Sequence, residues 1–98
     1  MAIRPELVPY RVIFERSGRK ALESLSVENA ERVIDALATL ANTALGDVKS
    51  LGDGYRGAYR LRVGGLRVYM NVLLSERLIV VTDIEKRGEA DRRKSRKR

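Results

Sequence analysis

The sequence predicts a small α+β domain in the order strand, helix, helix, strand, strand, strand. It is expected to fold as an antiparallel four-stranded sheet with a helical hairpin on one face. Three observations lead there. The chain has 98 residues and is 44% hydrophobic, which suits one domain with a single modest core. Two kinds of periodicity alternate along it, period two in short runs and three-to-four spacing between residues 30 and 45. Gly64-Gly65 also separates two runs rich in Val, Leu and Tyr, a strong hairpin signal.

The elements follow in order. "YRVIFE", residues 10 to 15, alternates Tyr10, Val12 and Phe14 with Arg11, Ile13 and Glu15, and reads as a first strand begun after Pro9. Ser17 is a candidate N-cap for a short helix with Ala21, Leu22 and Leu25 on its apolar side. Ser26 can cap a second helix, whose stripe is Ala30, Val33, Ile34, Leu37, Ala41, Ala44 and Leu45. Gly46 is its expected stop. "SLGDG", residues 50 to 54, reads as a loop before the hairpin. "RLIVVTDI", residues 77 to 84, is the last strand, after a turn near Ser75-Glu76.

Two consecutive helices return the chain to the end of the sheet it left. The next strand is then antiparallel to the first, and a meander continues the alternation. The helices must cover the face carrying Leu61, Val68 and Met70, so the other face is left open.

That open face is where the sequence is unusual. With Gly64-Gly65 as the loop of a type I′ turn, Val63 pairs with Leu66, Arg62 with Arg67, Leu61 with Val68 and Arg60 with Tyr69. Tyr59, Leu61, Val63, Leu66, Val68 and Met70 share one face. Arg60, Arg62, Arg67 and Tyr69 share the other. Directly opposed like charges cost up to about 1 kcal/mol, which Thr or Glu would avoid. A solvated outer face tolerates arginine, so an ordinary surface is one reading. The other is a polyanion site, because guanidinium groups grip phosphate in bidentate geometry.

Composition removes several chemistries. The sequence contains no cysteine, so it offers no disulfide or thiolate metal ligand, and a reducing cytoplasm is compatible. It contains no histidine, the commonest metal ligand and general base. No apolar run has the length of a membrane span, and "MAIRPELVPY" lacks a signal-peptide core. The net charge is +7, unevenly placed. Residues 86 to 98 hold eight basic and two acidic residues, whereas residues 1 to 85 hold twelve and eleven. A tail such as "DRRKSRKR" suits nucleic acid or acidic proteins, or serves as a solvated end.

The stretches "VKSLGDGYRGAYRLRVGGLRVYMNV" and "LIVVTDIEKRGEADR" resemble the RelE/ParE superfamily of bacterial toxins, in its RelE branch. They share a leucine-glycine loop, a Y-R-L-R strand, a glycine turn, an R-V-x-Y strand and a final K-R-G segment. "SGRKALESL" resembles the family's first helix. The similarity runs from about Tyr10 to Asp91. Residues 1–91 are therefore read as a RelE-like toxin domain and 92–98 as a basic tail expected to be disordered.

The resemblance implies the toxin of a type II toxin-antitoxin system, a cytoplasmic messenger-RNA interferase that cuts the codon in the ribosomal A site and inhibits translation. The implied chemistry is a metal-independent attack of the 2′-hydroxyl on the adjacent phosphate, with no cofactor. The implied partners are a cognate antitoxin, the ribosome and mRNA, with no membrane. The family's functional basic residues fall on Arg60, Arg62, Arg67 and Arg87. Lys49, Tyr69 and Lys86 are further candidates, Lys49 for holding a phosphate and Tyr69 or Lys86 for replacing a missing base. The family commonly has lysine where Arg62 stands. It also carries a tyrosine soon after the K-R segment, where this chain has Asp91 or Arg93. A ParE-type toxin acting on a topoisomerase by protein contact, and a family member that only binds RNA, are the alternatives.

Overall fold

The computed structural model describes residues 3–52 and 58–86. Its elements are β1 (Arg11–Phe14), α1 (Arg16–Glu23), α2 (Val27–Thr43), β2 (Asp47–Ser50), β3 (Ala58–Val63), β4 (Leu66–Leu73) and β5 (Leu78–Lys86), with short 3-10 turns at Pro5–Leu7 and Leu74–Glu76. The strands form one sheet in the order β1-β5-β4-β3-β2. The α+β class and the helical hairpin are as the sequence predicts.

The sheet differs from expectation in having five strands and one parallel pair. β2, β3, β4 and β5 form an antiparallel meander, while β1 lies parallel to β5. The additional strand accounts for both differences. The helices do return the chain antiparallel to β1, but the strand they deliver is β2. One more reversal then changes the direction of every later strand, so β5 ends parallel to β1. β2 escapes sequence detection because "DVKS" has a single apolar residue and sits at an exposed edge.

Local signals were met in part. Ser26 caps α2 as predicted, accepting a hydrogen bond from the Asn29 amide at 3.1 Å. Ser17 is not a cap: α1 begins at Arg16 with Glu15 in the cap position. The Glu15 amide is still bonded to the Val81 carbonyl at 2.9 Å, so the chain turns from strand to helix at once. The Ser17 hydroxyl instead donates to the Thr82 carbonyl at 2.7 Å, fastening α1 to β5. Gly46 does not end α2 either. The helix closes earlier, on Ala44, in the left-handed region at φ 63°. Gly46 serves packing, since a Cβ there would meet Leu61 Cδ1 at 3.0 Å. In the hairpin turn only Gly64 has a positive φ, 59°, the pattern of a type II′ turn and not the expected I′.

The core lies between the helices and one face of the sheet. Val33, Leu37, Leu40 and Ala41 of α2 pack with Leu61 of β3, Val68, Met70 and Val72 of β4, and Ile79, Val81 and Ile84 of β5. Each large aliphatic side chain so buried contributes about 1.5–3 kcal/mol. Ile34 and Leu45, included in the predicted stripe, are exposed, whereas Leu40 and the N-terminal Ile3 are fully buried.

β5 contains a bulge. Tyr69 pairs with Asp83 but Met70 pairs with Val81, so Thr82 is an extra residue opposite none. Its hydroxyl donates to the Tyr69 carbonyl at 3.2 Å. Val81 and Ile84, three apart, could not share a face in a regular strand of period two. The bulge lets both enter the core and turns Asp83 and Glu85 outward.

Candidate functional site

The uncovered face of the meander carries two rows of side chains fixed by strand register. One runs Asp47, Arg62, Arg67, Glu85 across β2, β3, β4 and β5. The next runs Lys49, Arg60, Tyr69, Asp83. The Arg62–Arg67 and Arg60–Tyr69 pairings are those expected from the two glycines. The structure thus brings together Arg60, Arg62, Arg67, Tyr69 and Lys49.

Lys86 is not brought to them. It pairs with Leu66, whose side chain is buried in the core, so its register position belongs to the opposite face. Arg87 and the tail from 92 to 98 lie outside the described residues, as do Asp91 and Arg93.

The sequence reading missed the carboxylates. Asp47 lies beyond Arg62 on the unpredicted edge strand, and Asp83 and Glu85 reach this face only through the bulge. Their signal was the position of Ile84: once it is assigned to the core, its two neighbours must point away. These carboxylates explain how Arg62 can face Arg67, since each arginine has an acid across from it on its other side.

The side chains differ in their surroundings. Arg62, Lys49 and Asp47 are exposed, while Arg60, Arg67, Tyr69 and Glu85 are half-buried. The Nε of Arg60 is buried with no hydrogen-bond partner among the described residues. An unsatisfied buried donor of this kind costs on the order of 1–3 kcal/mol. The Tyr69 hydroxyl donates to Glu85 Oε1 at 3.3 Å. Asp83 Oδ1 accepts the Ile84 amide at 2.8 Å. At the hairpin tip Arg62, Gly64, Gly65, Leu66 and Arg67 line a small surface depression of about 40 Å³. Among the described residues no three carboxylates converge as a metal-ligand group, and no helix is long and apolar enough to cross a membrane.

No protein-family model matches the sequence, and no curated protein matches it. Solved structures do. The chain is 29% identical to the archaeal RelE–RelB complex from Pyrococcus horikoshii OT3, with TM-score 0.69 over 83% of this chain and 98% of that one. The RelBE2 toxin-antitoxin complex from Mycobacterium tuberculosis has TM-score 0.75 at 22% identity, over 86% of this chain and 98% of that one. The isolated E. coli RelE toxin has TM-score 0.65 at 19% identity, over 86% and 97%. These last two speak for the fold, and the Pyrococcus horikoshii structure adds similarity of sequence. The chain thus has the fold of RelE toxins, with its arginine hairpin in the register that the sequence resemblance requires.

Proposed function

We propose that the chain is the toxin of a type II toxin-antitoxin system and acts as a ribosome-dependent endoribonuclease. The observation that carries this reading is the co-facial placement of Arg60, Arg62 and Arg67 on an uncovered sheet. Cleavage by a 2′-hydroxyl passes through a phosphorane-like transition state that gains charge on its equatorial oxygens. Guanidinium groups held by a sheet stabilise that charge more than they stabilise the bound message. The half-buried Arg60 adds a third guanidinium to the same face. Lys49, at the rim of the same face, can hold a flanking phosphate. The cognate antitoxin is the expected partner, by analogy with the RelB-bound neighbours.

Dependence on the ribosome follows from the shape of the face. Among the described residues the arginines stand on a sheet face, which does not by itself bend a message until a 2′-hydroxyl lies in line with its phosphate. A codon held in the A site supplies that geometry. The test compares purified protein on naked message and on programmed ribosomes, reading breaks by primer extension. Codon-phased breaks on ribosomes alone are expected. Equal cleavage of both substrates would remove the ribosome from the mechanism. Cleavage of neither would favour a ParE-type action on a topoisomerase.

A further inference from the structure

Cations alone leave the reaction without a proton acceptor. There is no histidine in the chain, and arginine does not give up its proton in proteins. Three carboxylates share the arginine face, and their surroundings distinguish them. Asp47 is exposed on the edge strand. Asp83 is turned back onto its own strand, where Oδ1 accepts the Ile84 amide at 2.8 Å. Glu85 is half-buried, takes the Tyr69 hydroxyl at 3.3 Å, and stands directly opposite Arg67 on the neighbouring strand.

We propose that Glu85, oriented by Tyr69, is the general base that takes the 2′-hydroxyl proton. The inference rests on the ribonuclease reading above. Residues directly opposite on antiparallel strands have Cα atoms about 4.5–5.5 Å apart. A phosphate gripped by Arg67 therefore lies beside the Glu85 carboxylate. The attacking 2′-oxygen sits about 3 Å from that phosphorus in a reactive geometry, within the same reach. Glu85 removes the proton as the O2′–P bond forms. The P–O5′ bond breaks, and the departing 5′-oxygen takes a proton from water. The products are a 2′,3′-cyclic phosphate and a 5′-hydroxyl. Glu85 then returns its proton to solvent, so the protein is unchanged. Arg62, on the other side of Arg67, is placed to meet the charge that develops on the phosphorane oxygens. Tyr69 is the positioning residue, because its hydroxyl donates to the carboxylate.

The experiment measures single-turnover cleavage on programmed ribosomes, with ribosome affinity and melting temperature recorded separately, for wild type, Glu85→Gln and Glu85→Asp. Loss of a general base lowers the rate by about a hundredfold to ten-thousandfold. Glu85→Gln is expected to show that loss with affinity equal to wild type or tighter. Glu85→Asp, with the carboxylate drawn back by one methylene, is expected to fall between. A folded Glu85→Gln that cleaves within about threefold of wild type, far short of the loss of a base, overturns the assignment. Should that variant fail to fold, a folded Glu85→Asp at the wild-type rate overturns it equally. A wild type that cuts nothing defeats the ribonuclease reading itself, and the base with it.

Discussion

Arg62 of β3 lies directly opposite Arg67 of β4, at the centre of a four-residue row closed by Asp47 and Glu85. The row alternates acid, base, base, acid, and its formal charge is zero. The face is therefore not a uniform cationic patch. This row is two guanidinium groups side by side with an acid at either flank, an arrangement that limits their mutual repulsion.

Arg67→Ala should abolish growth arrest and lower ribosomal cleavage by about a hundredfold to a thousandfold, the usual effect of removing one donor from a charge-stabilising site. The side chain is half-buried on the uncovered face, so the melting temperature should change little. Arg67→Lys should restore little activity, because an ammonium cannot present two parallel donors to a phosphate. Wild-type toxicity in a folded Arg67→Ala protein would remove this residue from the site.

Gly18→Ala should destabilise the protein strongly although alanine favours helices. A Cβ at Gly18 would overlap the carbonyl oxygen of Val81, which is backbone in the middle of β5 and cannot yield. Overpacking of this kind costs about 1–3 kcal/mol or more. Chemical denaturation should show a clear drop in midpoint. An unchanged midpoint would mean that α1 does not sit this close to the sheet.

Burial of Tyr10 holds its phenol above the ordinary range, and its hydroxyl donates to the Arg4 carbonyl at 3.2 Å. The folded state thus keeps the proton after the unfolded chain, with a phenol near pKa 10, has begun to lose it. Stability from this group is full below about pH 10 and declines as pH rises past it. Tyr10→Phe should cost about 1 kcal/mol at neutral pH through the lost hydrogen bond. The gap to wild type should narrow in urea titrations run at progressively more alkaline pH. A gap that widens instead would mean that the folded state favours the ionised phenol.

Deleting residues 92 to 98 should leave the melting temperature nearly unchanged, because that stretch has no apolar residue to offset its ordering entropy. Ribosome binding should become less salt-dependent, with the slope falling by roughly 0.7–0.9 for each phosphate contact removed. An unfolded truncation product would show that the tail docks on the domain.

The hairpin was legible to the residue, because two adjacent glycines fix the loop and period two then assigns every side chain. The helix stripe and the Ser26 cap were legible for similar local reasons. What escaped depends on contacts distant in sequence. β2 is recognisable only by its pairing with β3. The outward turn of Asp83 and Glu85 depends on a bulge that Thr82 makes against Tyr69. Nothing near Gly18 in the sequence announces that its role is to let α1 approach Val81. The shared face of Arg60, Arg62 and Arg67 could thus be read from sequence, whereas the arrival of the carboxylates on it could not.

The parallel pairing of β1 with β5 also bears on the order in which the protein assembles. Among the described strands β1 is the first to be synthesised, and its neighbour in the sheet is the last. The β3–β4 hairpin can close as soon as it is made, and α2 can begin to pack on it. β1 gains its ladder only after Leu78–Val81 has been translated. A chain made from its N-terminus therefore completes both its sheet and its core late, since Val12 and Phe14 have no strand to pack beside until then. The arginine face can take shape on the hairpin earlier, but Glu85 joins it only with the final strand.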